Sequence, residues 1–281
     1  MIVPKLQGPL LLKSIEQASS TRGELHVWWL GQSGYLVKWN GHHILIDPYL
    51  SDSLTLKYQD TDKPHIRMTE LVVEPHYLDF IDLVTSSHNH TDHLDGGTLK
   101  PLLKVNKDLK VVVPIPNISF AAKRLDVPEE RLIGIGDGQK LQLMEDVVIS
   151  AIPAAHNEIT RDESGHTTCV GYIFQIGSFT IYHSGDTLLY DGIQEALEPF
   201  NIDLALLPIN GNRPERRVAG NLNAREAVML AKQVGAKMLV PCHYHMFTFN
   251  TVDPDEFIEL ATQQNQPFKV LEGGEQLTLK I

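Results

Sequence analysis

Hydrophobic and polar positions first alternate along residues 24–37, a stretch rich in β-branched and aromatic side chains. A period of two predicts β-strands, and Gly31 with Gly34 marks a turn or bulge within them. Asn40–Gly41 then predicts a tight hairpin turn, because this pair readily adopts positive φ angles. The return strand ends at Asp47–Pro48. The chain is therefore predicted to open with paired antiparallel strands.

Strand and helix patterns then follow one another to residue 281. Strands are predicted at 80–86, 110–114, 145–152, 169–176, 178–183, 204–208, 237–241 and 276–281, and helices from near 97, at 118–125, after 191, at 224–234 and at 253–263. Residues 51–76 are polar and predict an irregular loop that lies over another part of the protein. Hairpins early in each half and strand–helix units late in each half favour two packed sheets with helices outside. The predicted fold is a four-layer αββα sandwich in the α/β class, with two mixed β-sheets flanked by helices in one domain over residues 1–281.

Composition and charge limit the kinds of partner. The formal net charge of −11 argues against binding nucleic acid, which needs clustered basic side chains. No apolar run reaches the roughly 20 residues of a membrane span, and the N-terminus lacks a basic segment followed by an apolar core. Two cysteines cannot form a disulfide framework, so a cytoplasmic location is expected. The sequence leaves open whether the protein forms a homo-oligomer.

The densest chemical signal is the loop His88–Asn89–His90–Thr91–Asp92–His93, which directly follows an apolar strand. A single histidine or aspartate in a loop is usually only solvated. Four such side chains within six residues favour a metal site, since imidazole and carboxylate suit divalent ions such as zinc, manganese or iron.

Four side chains rarely complete two coordination spheres, so further ligands are expected after later strands. His156, Asp186 and His243 each come just after a predicted strand. Loops at the carboxyl ends of strands are where functional residues of α/β proteins gather. The sequence therefore predicts one site built from all seven side chains.

This pattern, His88-x-His90-x-Asp92-His93 with a later His, Asp and His, resembles the metallo-β-lactamase superfamily over essentially the whole chain. Further stretches are similar to its L-ascorbate-6-phosphate lactonase branch, namely 29–34, 47–52, 182–187, 207–211 and 243–244. Cys242 and His245 depart from that branch.

The resemblance implies a metallo-β-lactamase-like hydrolase domain with two divalent metal ions, zinc or manganese, with iron as the alternative. His88, His90 and His156 would hold one ion. The other would be held by Asp92, His93 and His243, and Asp186 would bridge the two.

A water molecule shared by two cations has its pKa lowered toward ~7, which supplies hydroxide at neutral pH. We therefore expect a lactonase or ester-type hydrolase that acts through a metal-bound hydroxide on a small anionic substrate, such as a sugar phosphate. Asp92 could orient the hydroxide or move a proton. His243 and Tyr244 complete the candidate catalytic set, and packing near the metals is the alternative for Tyr244.

Several other side chains are candidates for substrate binding or for support of the ligands. A guanidinium fork suits a phosphate or carboxylate, and a solvated basic loop is the alternative. The substrate-binding candidates are Arg213, Arg216, Arg217, Arg67 and His245. Asp47 is expected to accept a ring N–H from a ligand, or else to be a turn residue before proline, and His183 is a candidate partner or cap for the ligands.

Three other functions are compatible with such a site. The first is a metal-dependent phosphodiesterase on a small phosphodiester. The second is a non-hydrolytic di-iron oxidoreductase, which by resemblance would carry an acid near Asn89 and an appended flavin domain. The third is a metal-storing or structural role.

Overall fold

The computed structural model describes residues 1–281, and its strands form two mixed sheets. In spatial order, the first sheet contains β13 (Gln276–Lys280), β1 (Glu24–Gly31), β2 (Gly34–Trp39), β3 (His42–Ile46), β4 (Leu83–Thr85), β5 (Lys110–Pro114) and β6 (Leu132–Ile135). Strands β13 to β3 pair antiparallel, whereas β3 to β6 pair parallel.

The second sheet has six strands. Their order is β12 (Met238–Cys242), β11 (Leu204–Pro208), β10 (Phe179–His183), β9 (Val170–Ile176), β8 (Val147–Pro153) and β7 (Lys140–Met144). Strands β10, β11 and β12 pair parallel, and the others pair antiparallel.

Seven α-helices accompany the sheets: α1 (Pro9–Gln17), α2 (Ser53–Tyr58), α3 (Gly96–Val105), α4 (Ile118–Leu125), α5 (Ile193–Leu197), α6 (Ala224–Gln233) and α7 (Asp255–Gln263). Apolar side chains of α1, α3 and α4 pack on the outer face of the first sheet, and those of α5, α6 and α7 join the core of the second. The predicted αββα sandwich is confirmed. None of the helices is both long enough and apolar enough to cross a lipid bilayer.

Strand periodicity explains how the layers meet. On β2, Tyr35, Val37 and Trp39 belong to the core shared with the second sheet, whereas Leu36 faces the helical side. Successive side chains of a strand point to opposite faces, and both faces of this sheet are covered. Such strands therefore read as continuous apolar runs rather than as alternating ones.

The architecture brings the functional loops to one end of the sandwich. Strands β3, β4 and β5 are parallel, as are β10, β11 and β12, so within each sheet the loops that follow these strands share one edge. The Asp95 carboxylate, which caps α3 by accepting from Gly97 N at 3.0 Å, also accepts from Ser51 Oγ at 2.6 Å and Ser53 Oγ at 2.8 Å. The start of α2 is thereby tied to the end of the loop that follows β4.

Four elements were not predicted. Helix α1 is short, and its C-terminal carbonyls depend on a distant residue, because Lys38 Nζ donates to the carbonyls of Ile15 and Ala18 at 2.8 Å. Helix α2 lies within residues 51–76, where an irregular loop was expected. Strands β6 and β7 are edge strands of only four and five residues, which is too short for a strand pattern to stand out.

His43 gives the fold a testable dependence on pH. Its ring lies 4.8 Å from that of Phe80, and burial lowers the pKa of His43 to about 4. The unfolded chain binds a proton below pH ~6.5, so the free energy of unfolding falls as the pH drops from about 6.5 to about 4. In His43→Gln this contribution is absent, so between pH 7 and pH 4.5 the variant should lose about 2 kcal/mol less stability than the unsubstituted protein.

Urea unfolding at the two pH values measures this difference. The matched control is His76→Gln, because His76 is exposed. The control should follow the parent protein at both pH values. An unchanged pH dependence in His43→Gln would show that His43 is not the group responsible.

Candidate metal centre

The loop after β4 is held rigidly along its length. Ser86 N donates to Val112 O at 3.0 Å, which continues the pairing of β4 with β5. The Arg124 guanidinium donates to the carbonyls of Asn89 at 2.7 Å and Leu94 at 3.1 Å. The backbone that carries the four clustered ligand-type side chains is therefore fixed from both sides.

The other three ligand-type residues follow strands of the second sheet. His156 follows β8, Asp186 follows β10, and His243 follows β12. Gly185, at φ 58°, lets the second of these loops approach the first, since a Cβ there would lie 2.8 Å from the Ser87 side chain. This close approach brings Asp186 between the two groups of histidines.

All seven side chains meet at one place. His156 Nε2 lies 3.0 Å from His90 Nδ1, and Asp186 oxygens lie 3.3 Å from His93 Nε2 and 3.4 Å from His243 Nε2. Three overlapping groups result, each with its ligand atoms within 4.8 Å of one another: His88, His90 and His156; His88, His93 and Asp186; and Asp92, His93 and His243.

Unpartnered buried atoms show that these residues fit metal ions. His88 Nε2, His93 Nε2 and Asp186 Oδ1 are buried without a hydrogen-bond partner. Leaving such atoms unsatisfied is costly, and native proteins rarely do so without an ion or water. A donor set of imidazole nitrogens and carboxylate oxygens matches divalent transition metals. The arrangement is therefore suited to bind them.

The histidines of the cluster differ in the direction in which their pKa values are shifted. Burial lowers the pKa of His88 well below its usual value and that of His156 to about 4, which keeps their lone pairs free. For His93, burial is outweighed by the charges of Asp186 and Asp92, which raise its pKa. Burial raises the pKa of Asp186, but His93 and His243 overcome this and hold it well below the usual range. Burial also raises the pKa of Asp92, but His93 and His243 bring it below its usual value, so both carboxylates remain charged.

Asp47 fixes the orientation of His93. Its Oδ2 lies 2.6 Å from His93 Nδ1, both side chains are fully buried, and its Oδ1 accepts from Ser87 N at 3.0 Å. A carboxylate can only accept here, so Nδ1 carries the proton and Nε2 faces the cluster. This is the usual way in which proteins orient a metal-binding imidazole.

A family model described as the beta-lactamase superfamily domain matches residues 42–244, which include every residue of the cluster. The chain belongs to the metallo-β-lactamase superfamily. Within this superfamily, the chain is 32% identical over 262 residues to a UPF0173 metal-dependent hydrolase of Bacillus mycoides, covering 91% of this chain and all of that protein. It therefore belongs with the UPF0173 metal-dependent hydrolases. The resemblance to the ascorbate-6-phosphate lactonase branch stays a prediction.

Solved structures share the superfamily fold at low sequence identity. The metallo-beta-lactamase fold protein YhfI from Bacillus subtilis is 21% identical with a TM-score of 0.66, and the match covers 92% of this chain and all of that chain. An isothiocyanate hydrolase from Delia radicum gut bacteria is 17% identical with a TM-score of 0.74, covering 91% of this chain and all of that chain. At these identities the likeness shows the fold alone.

Not every residue singled out from the sequence faces the cluster. The Tyr244 hydroxyl donates to Leu271 O, and its ring stacks on Trp29 at 4.4 Å. Tyr244 therefore packs in the core, which was the alternative to a catalytic role. His183 contacts no ligand ring, but it braces the backbone beside one ligand: its Nε2 donates to Ser33 O at 3.0 Å and its Nδ1 accepts from Gly185 N, next to Asp186, at 3.3 Å. His245 lies 3.5 Å from Asp253 and does not line the cavity above the cluster.

The arginines divide in the same way. Arg216 donates to Asn210 O and Asn250 Oδ1 at 2.8 Å, and Arg67 donates to Asp52 Oδ1 at 2.6 Å, so both brace loops. Arg213 is exposed and does not line the cavity. Only Arg217 among them lines it. Arg217 is therefore the one substrate-binding candidate among these arginines that the cavity retains, because the other three are turned to the protein or to solvent.

Gln32, Lys57 and His65 are among the residues of the cavity wall that were missed. Gln32 Nε2 donates to Asp92 Oδ2 at 2.8 Å and lies 2.9 Å from His243 Nε2. Lys57 and His65 come from the segment that was expected to be an irregular loop. For Gln32, the available signal was its place between Gly31 and Gly34, where a turn carries it toward the ligands.

Asp47→Asn tests the support of His93. The amide is nearly isosteric but cannot hold the imidazole N–H as a charged acceptor, so we expect metal affinity to fall about 10–100-fold. Competition with a chromophoric chelator measures the affinity. Asp79→Asn, on an exposed position, is the control and should bind as tightly as the parent. Equal affinity in Asp47→Asn would remove Asp47 from the metal centre.

Proposed function

We propose that the protein is a binuclear hydrolase that cleaves an ester or lactone bond in a small anionic substrate. The observation that carries this proposal is the meeting of two ligand groups on either side of Asp186, at the floor of an open cavity of about 280 Å³. One group is His88, His90 and His156, and the other is Asp92, His93 and His243. A substrate in this cavity would lie directly against the ligands.

Two divalent ions, zinc or manganese, are proposed as the cofactors. When bound, such ions acidify water and stabilise negative charge that develops on the electrophile. The two carboxylates contribute −2 and the ions +4, so the loaded centre is positive within a protein of net charge −11. This local excess favours an anionic substrate, or one that becomes anionic as it reacts.

The residues of the chain orient the reacting groups. Asp92 Oδ2 is held by Gln32 Nε2 at 2.8 Å, which fixes the plane of its carboxylate. Asp92 also lines the cavity, where it can accept a hydrogen bond from the attacking water. Gln32 thus gives Asp92 a defined orientation before substrate arrives.

The wall of the cavity carries three basic side chains. Arg217 is paired with Asp62, and Lys63 Nζ donates to the carbonyl of Arg217 at 2.6 Å. Lys57 has no carboxylate partner. Its Nζ donates to the Thr91 hydroxyl at 3.3 Å, beside the ligand loop, and lies 5.0 Å from the centroid of the Tyr58 ring. Lys57 is therefore the side chain best placed to receive the anionic group of a substrate.

Metal dependence is the first test. Chelator-treated protein should have no hydrolase activity, and addition of zinc or manganese should restore it on a panel of sugar lactones and carboxylic esters. Asp186→Asn should lower kcat at least about 10²-fold, because it removes a charged ligand shared by both groups. Asp191→Asn, an exposed aspartate nearby, should not.

The same panel includes bis-(p-nitrophenyl) phosphate. Turnover of this compound without turnover of any ester or lactone would replace the proposal with a phosphodiesterase. Protein that holds two ions per chain and hydrolyses none of these compounds would contradict a hydrolytic function of either kind.

Lys57→Gln tests the anionic group of the substrate. We expect KM for mono-(p-nitrophenyl) succinate to rise about tenfold, since a hydrogen bond to a charged group contributes about 1.5–3 kcal/mol. The KM for neutral p-nitrophenyl acetate should not change, and Lys57→Arg should preserve both values. The control is Lys104→Gln, because Lys104 occupies the last turn of α3 as Lys57 occupies that of α2. An equal change for both esters would exclude charge recognition by Lys57.

A further inference from the structure

One histidine of the cavity wall is not part of the ligand set. His65 lines the cavity together with Asp92, His156 and His243. It belongs to none of the metal-binding groups. Nothing in the proposed function so far uses it.

The position of His65 is fixed by the backbone around it. Thr248 N donates to Ile66 O at 2.8 Å, and Arg67 forms a β-bridge with Phe247. This pairing joins the segment after α2 to the loop that begins with the ligand His243. Thr55 Oγ1 adds a hydrogen bond to His65 O at 2.7 Å. His65 is thereby attached to the same loop as a metal ligand.

Three aromatic rings fix the plane of the imidazole. Its centroid lies 4.5 Å from Tyr58, 5.3 Å from Phe247 and 5.0 Å from Phe249. Such contacts restrict a side chain that would otherwise rotate freely at the rim of a cavity. The ring is consequently held in one orientation before any substrate binds.

A backbone carbonyl sets the tautomer of His65. Its Nδ1 lies 2.8 Å from Lys63 O, which can only accept, so Nδ1 carries the hydrogen. Nε2 has no partner in the protein and is not among the buried unpartnered atoms. Its lone pair is therefore open to the cavity. A base whose second nitrogen is oriented by a carbonyl acceptor has the arrangement required for proton transfer.

Burial favours the neutral form of the His65 ring at neutral pH. Burial is the main effect and lowers the pKa of His65, while the Lys63 carbonyl and the Asp92 charge oppose it. His243 and Lys57 add smaller effects that lower the pKa. A neutral imidazole can accept a proton, which a protonated one cannot.

We propose that His65 is the acid–base residue of this site and transfers a proton from the attacking water to the leaving group. Nε2 takes one proton as the water oxygen bonds to the scissile carbonyl carbon. The imidazolium then gives that proton to the leaving oxygen as the carbon–oxygen bond breaks. The acid product releases its remaining proton to solvent, so the balance is one water consumed per bond cleaved. This assignment rests on the proposed ester or lactone hydrolysis.

The dependence of the rate on the leaving group tests the role. Mono-(p-nitrophenyl) succinate and monoethyl succinate have the same acyl group and charge, but only the ethoxide requires protonation to leave. In His65→Gln the ethyl ester loses both proton transfers, so we expect its kcat to fall about 10²-fold or more; the nitrophenyl ester loses only the transfer from water, so its kcat should fall at least about tenfold less. In His65→Ala, added imidazole should restore hydrolysis of the ethyl ester.

Two measurements separate this role from a structural one. Elemental analysis should find the same metal content in His65→Gln as in the parent, and His43→Gln, a half-buried histidine that also packs on an aromatic ring, should hydrolyse both esters normally. An equal loss on both esters, or no loss on either, would overturn the role of His65 while leaving the hydrolase intact. If the metal-loaded parent hydrolyses neither these esters nor any lactone, the proposed function fails and the role of His65 with it.

Discussion

The structure depends on a balance of charge in a place that excludes water. Asp186 is buried, and the groups that hold its charge are the rings of His93 and His243, 3.3 and 3.4 Å from its two oxygens. A buried carboxylate is tolerated only when cations or donors compensate it. The orphaned Nε2 of His88 points to the same need from the other side, since burial keeps this ring neutral and its lone pair lacks any donor. Metal ions satisfy both demands at once, and the loops of both sheets are arranged to make this possible.

The sandwich supplies the rigidity that such a centre requires. Ligands come from loops after β4, β8, β10 and β12, so each sheet contributes part of the set and neither could form it alone. Further contacts hold these loops in place, including Arg124 on the loop after β4 and Asp47 on His93. The segment around α2 then closes one wall of the cavity and adds Lys57 and His65. In this arrangement the loops of the two sheets bring the ligand side chains together, whereas the segment around α2 contributes Lys57 and His65, the groups proposed to contact the substrate.

The elements and site residues that could be predicted from the sequence are those marked by a pattern of neighbouring residues. Apolar runs predicted most strands of both sheets. The close spacing of His88, His90, Asp92 and His93 predicted the ligand loop without any knowledge of the fold. His156, Asp186 and His243 were predicted because each follows a strand. The polar side chains of the cavity wall could not be found this way. Arg216 and Arg67 look like anion anchors in sequence, but each is bound to its own surroundings. His65 looks isolated in sequence, and only the pairing of residues 66–68 with 246–248 brings it to the cavity.

The central claim is that seven side chains hold two ions around Asp186, and anomalous diffraction at the metal absorption edge tests it most directly. Crystals of protein loaded with zinc or manganese should show two peaks, one among His88, His90 and His156 and the other among Asp92, His93 and His243, with Asp186 in contact with both. A single peak, or peaks at any other group of side chains, would contradict the account.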